Sequence, residues 1–192
     1  MRFTLNQVVD IVIEALELSP AYHASVRARV QHFQRLDFPE GIKGGARGPR
    51  ANYDEERLMK VALGFKLLDL GFTPARIRAT IVEHWTKIRT TLALAAAHRE
   101  VPLYLATYPN ALNRFRDPID EDDIAWVHCG HTLAELTQMF EQYSVVEAPN
   151  YASLNLTGLL LSVATAIGNL DGSKPVAHST AEEFLSAVTS WK

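Results

Sequence analysis

The sequence predicts a mainly α-helical protein whose C-terminal part adds a few short strands. Apolar residues recur at three- and four-residue steps along most of positions 1–97, which is the period of a helix with one buried face. Beyond residue 100 this period gives way in places to short stretches rich in leucine, tyrosine and threonine, which are typical of strands. The chain of 192 residues is 47% hydrophobic and 21% charged, so it can bury a sizeable core.

The first two helices are predicted at Leu5–Leu18 and Ala21–Leu36. Thr4 followed by Gln7 fits a capping box, in which the two residues satisfy each other's backbone groups at a helix start. Ser19-Pro20 separates the two helices. The second helix buries its periodic apolar residues, Val26, Val30 and Phe33, so its polar and basic side chains project away from that face.

The outer face of the second helix is predicted to bind DNA. Arginine and glutamine side chains reach base edges and phosphates when the second helix of a helix-turn-helix lies in the major groove. An ordinary helical bundle with a solvated arginine face is the alternative, and the helix alone does not exclude it. The predicted DNA-binding residues of this helix are His23, Ser25, Arg27, Arg29, Gln31 and His32.

A basic, glycine-rich loop, GIKGGARGPR at Gly41–Arg50, follows the second helix. Glycines let the backbone come close to a surface, while Lys43, Arg47 and Arg50 can neutralise phosphates and release counterions. Such a loop after a recognition helix is a wing. Tyr53 comes next, and two interpretations stay open for it: contact with the sugar-phosphate backbone, or packing in the core.

Two further helices joined by a sharp corner follow from Tyr53. Gly71 is predicted to end the first of them, and Thr73 and Pro74 supply the cap and the first residue of the second. The second helix continues into the alanine run Ala93–Ala97. Its apolar stripe consists of Ile77, Ile81, Trp85, Ile88 and Leu92.

The order of these pieces resembles the MerR-type winged helix-turn-helix DNA-binding domain. The resemblance rests on Y-D-E-E-x-L…L-x-x-L-G-F-T-P-A-R-I-R-x-x-I at positions 53–81, on HFQRLDFP at 32–39 and on FTLNQVVDI at the start. It covers about the first 85 residues, that is, the N-terminal half only. The usual Arg-Thr-hydrophobe-Arg-Tyr-Tyr of the recognition helix reads ARVQHF here, so base preference is not carried over.

The resemblance implies a domain organisation and a homodimer. It places a winged helix domain at residues 1–82 and a linker or dimerisation helix at 83–99, which leaves residues 100–192 as a C-terminal domain. MerR-like proteins pair through a long antiparallel helix at the second of these positions, and the dimer reads a two-fold-related operator. Packing of that helix on its own C-terminal domain explains the stripe equally well. A piece ending at Ala97 is expected to fold alone.

The C-terminal part is predicted to be a small α+β regulatory or oligomerisation domain. Leu154–Leu170 is interpreted as a buried helix, with a pair of strands as the alternative. Thr180 with Glu183 fits a cap for the last helix. The remaining predicted elements are strands at Val101–Pro109, Ile124–Val127 and Ser144–Glu147, and helices at His131–Tyr143 and Ala181–Trp191.

Charge divides the chain in two. Residues 1–92 hold 14 Lys and Arg against 10 Asp and Glu, while residues 93–192 hold 5 against 12. A basic half joined to an acidic half favours a module that approaches a polyanion, although chance segregation of surface charge gives the same count.

The sequence indicates neither an enzyme nor a cofactor. The segment His128-Cys129-Gly130-His131 groups potential metal ligands, but we interpret its cysteine as incidental to a strand-to-helix turn, and no metal site is predicted. A single cysteine excludes an internal disulfide. The longest apolar run, Leu154–Ile167, is too short and too polar to span a bilayer, so no membrane partner is predicted.

The sequence therefore predicts a cytoplasmic, nucleoid-associated transcriptional regulator that binds double-stranded DNA sequence-specifically as a homodimer. RNA polymerase or another regulatory protein is a further candidate partner. The alternative is a nucleoid-architectural or protein-interaction protein that uses the winged helix with low sequence specificity. An enzyme is the weakest hypothesis, because it needs a polar pocket within residues 101–192.

Overall fold

The computed structural model of the protein describes residues 1–42, 52–107, 127–141, 151–170 and 174–191. It is mainly helical with a small three-stranded antiparallel sheet, so the predicted class is confirmed at this level. A short 3-10 turn at Pro20–Tyr22 precedes the second helix. The helices are α1 Leu5–Ala15, α2 His23–Arg35, α3 Glu55–Asp69, α4 Pro74–Ala97, α5 Leu133–Glu141, α6 Leu156–Asn169 and α7 Lys174–Thr189; the strands are β1 Tyr104–Thr107, β2 Val127–His131 and β3 Ala152–Asn155.

Short-range signals mark the start of α1, the end of α3 and the start of α4. The Thr4 side chain accepts from the Gln7 backbone N–H at 3.3 Å, and the Gln7 side chain accepts from the Thr4 N–H at 2.9 Å, so the capping box is confirmed. Gly71 has a φ of 84°, which favours glycine, and it ends α3 as predicted. Thr73 then caps α4 by accepting from the Arg76 N–H at 3.3 Å.

The apolar stripe of α4 is buried inside the chain itself. All five of its predicted members are buried, and α4 packs on α3, α6, α7 and β2. Trp85 lies 6.2 Å from Trp191, measured between ring centroids. Of the two interpretations of the stripe, intramolecular packing is therefore the one observed in the structure.

One hydrophobic core extends across the predicted domain boundary. Helix α1 packs on α6, and α6 packs on α7. Val8 and Ile11 of α1 belong to the same buried cluster as Leu160, Val163 and Ile167 of α6. The regions 1–82 and 100–192 therefore do not have separate cores.

The sheet has the strand order β2-β1-β3. In β1, Leu105 is opposite Cys129 on one side and Leu154 on the other, and it points into the main core. Its neighbour Ala106 joins a small separate cluster with Leu136 and Phe140 of α5. The sheet thus lies between the main core and α5.

The predictions for the C-terminal part are confirmed only for some elements. The buried helix is α6, capped by Asn155, which accepts from the Gly158 N–H at 2.8 Å; the alternative of two strands is wrong. Strand β3 was not predicted, and the predicted strand Ser144–Glu147 lies outside the described residues. The predicted start of the last helix at Ala181 is wrong, because α7 already begins at Lys174.

Candidate nucleic-acid interface

Helix α2 is fixed to the body of the protein by its buried face. Val26, Val30 and Phe33 are buried as predicted, and α2 packs on α1. The ring of Phe33 meets Phe38 edge to face at 5.3 Å and Phe65 at 5.9 Å between centroids. Aromatic pairs of this geometry add to the energy of burial, so this side of the helix is rigidly held.

Two of the predicted DNA-binding side chains turn toward α1. His23 Nε2 lies 3.2 Å from Asp10 Oδ1, and the Arg27 guanidinium donates to the Asn6 side chain. These contacts tie α2 to α1 on its flank. His23 and Arg27 therefore position the helix, whereas a base-reading role requires them to leave their partners.

The outward side of α2 carries Ser25, Arg29 and Gln31, which are exposed and have no partner among the residues that the structure describes. Arg35 is also exposed and lies 3.4 Å from His32, measured from guanidinium nitrogen to Nδ1. We call these five residues the outer face of α2.

Tyr53 is a core residue, so of its two interpretations packing in the core is the one observed in the structure. Its side chain is 0% exposed, and its hydroxyl accepts from Gln34 Nε2 at 2.7 Å. Burial raises its pKa to about 12. Its backbone pairs with that of Phe3 through hydrogen bonds of 2.7 and 2.9 Å. A ring enclosed in this way cannot reach a sugar-phosphate backbone.

The basic segment between α2 and Tyr53 is anchored at both ends. Its cations Lys43, Arg47 and Arg50 lie outside the described residues. Before the segment, Ile42 is buried and the Glu40 carbonyl accepts from Arg57 Nε at 3.3 Å. After it, Tyr53 is fixed to Phe3 as described above. The described residues on either side of the segment are therefore held at defined points.

Arg2 is an exposed cation next to the residue that pairs with Tyr53, and it was not among the predicted site residues. It is exposed and precedes Phe3, whose backbone pairs with Tyr53 at the end of the basic segment. In the sequence, Arg2 is marked only by its positive charge beside a short apolar stretch. The pairing of Phe3 with Tyr53 shows that Arg2 lies close in the fold to the residue that follows the basic segment.

The His-Cys-Gly-His segment lies within strand β2. Cys129 is half-buried, and burial raises the pKa of its thiol to about 12. Burial, with smaller contributions from His131 and Lys87, lowers the pKa of His128. The two histidine rings lie 6.2 Å apart between centroids. The described residues contain no group of three His, Cys, Asp or Glu side chains that could hold a metal ion.

Within the described ranges, none of the helices combines the length and the apolar character that crossing a bilayer requires.

Searches against family models, curated proteins and solved structures found no match to this chain. Its function is therefore inferred from its own residues.

Proposed function

We propose that this chain is a sequence-specific regulator of transcription that binds double-stranded DNA as a homodimer in the cytoplasm. The observation that supports this proposal best is the outer face of α2, where polar and basic side chains stand exposed on a firmly anchored helix. A helix of about 10–12 Å in diameter fits the major groove, which is about 12 Å wide.

The side chains of this face suit two kinds of contact. Arg29 is long enough to donate two hydrogen bonds to guanine, and Gln31 can pair with adenine through its amide. Arg35 and Arg2 are exposed cations that can neutralise phosphates, which releases counterions. The resemblance to MerR-like domains assigns the same role to Lys43, Arg47 and Arg50.

The dimer must use a surface other than the apolar stripe of α4. That stripe is occupied by α3, α6 and α7 of the same chain. Elsewhere on its surface, α4 exposes Val82 and Leu94. We propose that exposed residues of α4 carry the contact with the second copy.

A second candidate function follows from two alanines on the outward side of α2. Ala24 and Ala28 are exposed there and offer no hydrogen-bonding group to a base edge. A helix with few side chains that can hydrogen-bond to base edges favours the architectural alternative. In that alternative, affinity comes from phosphate contacts and depends steeply on salt concentration. The two functions differ in sequence discrimination.

Selection of bound duplexes from a random pool, followed by titration of the best one at near-physiological salt, tests the proposal. We expect an inverted repeat that is bound about a thousandfold more tightly than a scrambled duplex. Arg29→Ala should cost about 1–3 kcal/mol on that duplex and relax preference at one position. Arg99→Ala, which removes an exposed arginine paired with Glu182, is the matched control and should bind as the wild type does.

Binding without enrichment would support the architectural function instead. Absence of binding to any duplex, by a chain shown to be folded, would refute both.

A further inference from the structure

A cavity of about 320 Å³ lies between α1, α3, β3 and α6. Small-molecule sites in proteins have volumes of about 300–1,000 Å³ and combine mostly apolar walls with a few polar groups. Three of the described residues that line this cavity have apolar side chains, and we call them the apolar wall: Ala15, Leu154 and Leu159. The volume is at the small end of the range, so the cavity suits a molecule with a short hydrocarbon part.

The side chains that can bind a polar group in this cavity belong to a lysine and two serines. Lys66 of α3 is half-buried, while Ser153 of β3 and Ser162 of α6 are exposed. None of the three side chains makes a hydrogen bond or an ion pair with a residue that the structure describes. An ammonium group and a hydroxyl group both donate hydrogen bonds, so these side chains are available to the oxygen atoms of a ligand.

The cavity is positively charged. Among the described residues that line it, Lys66 is the one that carries a charge. Glu14 is next to Ala15 in the sequence, but its carboxylate accepts from Asn169 Nδ2. In a partly enclosed site the effective dielectric is lower than in water, so an unpaired ammonium attracts an anion more strongly there. The polar side of the cavity therefore favours an anionic group.

The first turn of α6 borders the cavity but is not the source of this preference. Asn155 Oδ1 accepts from the Gly158 N–H at 2.8 Å. The Leu156 N–H donates to the Leu103 carbonyl at 2.9 Å. Because these backbone groups already have partners, recognition of an anion depends on side chains and above all on Lys66.

We propose that this cavity is a binding site for a small organic acid with a short hydrocarbon chain. The carboxylate pairs with Lys66 and accepts from the two serine hydroxyls, while the hydrocarbon chain lies on the apolar wall. Charge-assisted hydrogen bonds select the acid, and burial of its methylene groups adds affinity. None of the described residues that line the cavity belongs to α2, so this site is separate from the proposed DNA-binding surface.

Titration of the isotope-labelled full-length chain with straight-chain carboxylates, from acetate to hexanoate, tests this inference by NMR. The amide resonances of Ser153 and Gly158 should shift saturably when hexanoate is added. Along the series, binding should tighten about fourfold for each added methylene that the cavity encloses. Hexylamine, which has a similar chain and the opposite charge, should leave these resonances unmoved.

Substitutions at two positions test the role of charge. Lys66→Met should weaken hexanoate binding by about tenfold or more. Lys87→Met is the matched control, because it removes an exposed lysine near β2, at the other edge of the sheet from β3, and it should bind as the wild type does. Ser162→Glu places a carboxylate in the cavity, where it competes for Lys66, and should abolish binding, whereas the neutral Ser162→Gln should retain most of it.

These variants are expected to remain folded, because Ser162 is exposed and Lys66 is half-buried, and circular dichroism checks this. Absence of saturable shifts with every carboxylate, equal binding of hexylamine and hexanoate, or wild-type affinity in folded Lys66→Met would each overturn the inference. The proposed DNA binding would stand in all three cases, because the described residues of the cavity and the outer face of α2 have no member in common.

Discussion

Replacement of Leu160 by alanine tests whether one core supports both halves of the chain. The Leu160 side chain is 0% exposed and shares its cluster with Val8 of α1 and Ile88 of α4. A buried leucine changed to alanine loses its transfer free energy and leaves a cavity, which costs about 2–5 kcal/mol. Because Leu160 is fully enclosed, we expect about 3–4 kcal/mol, a large share of the about 5–15 kcal/mol that stabilises a typical domain.

Urea denaturation followed by far-UV circular dichroism and by tryptophan fluorescence gives the free energy of unfolding. Both probes should report one transition, moved to lower urea by about 1.5–2 M if the slope is about 2 kcal/mol per M. Amide hydrogen exchange should show α1 losing as much protection as α6. Leu133→Ala is the control, because this leucine of α5 is 49% exposed and should change stability by no more than about 0.5 kcal/mol.

Two separate transitions, with α6 and α7 melting first and α1–α4 unaffected, would refute this reasoning. They would show that the halves fold independently, as the predicted boundary implied.

A chain ending at Ala97 gives the complementary result. It lacks α6 and α7, which cover α1 and α4, so we expect it not to fold.

Two further predictions follow from the shifted pKa values around β2. At pH 8, iodoacetamide should alkylate Cys129, the single cysteine, about a thousandfold more slowly in the folded protein than in urea. The reason is that a thiol pKa of about 12 leaves little of the reactive thiolate. Equal rates in the two conditions would contradict the burial of this thiol. The pKa of His128 is lower in the folded protein than its ordinary 6.5, owing to burial and then to His131 and Lys87, so protonation favours the unfolded chain. The free energy of unfolding should therefore fall as pH drops below about 6.5, and His128→Gln should reduce this pH dependence. If the variant keeps the pH dependence of the wild type, groups other than His128 cause it.

Elements whose signals lie within a few residues could be predicted from the sequence. The capping box at Thr4 and the corner at Gly71-Thr73-Pro74 depend on backbone groups three or four positions away, so the sequence carries all of the chemistry that decides them. The buried face of α2 follows from its period in the same way. These are also the features that make Arg29 and Gln31 point outward.

Elements that depend on distant partners could not be predicted. Strand β3 exists because Ala152–Asn155 pairs with β1, almost 50 residues earlier in the chain, and no local pattern reports that pairing. Thr180 and Glu183 have the spacing of a helix cap, yet tertiary packing carries α7 through both. The stripe of α4 showed that one face is buried but not what covers it. Tyr53 is a similar case in the candidate site. Whether its side chain is buried or exposed decides its role, and the residue type alone does not show which.

The shared core changes how the proposed DNA-binding surface could be regulated. Helix α1 holds α2 through His23, Arg27 and the apolar face, and α1 also packs on α6. In a regulator with separate domains, a signal reaches the DNA-binding part through a linker. Here a displacement of α6 would act directly on α1, because close-packed interiors transmit small shifts rather than absorb them. Substitutions at the α1–α6 contact should therefore change DNA affinity even when the outer face of α2 is left intact.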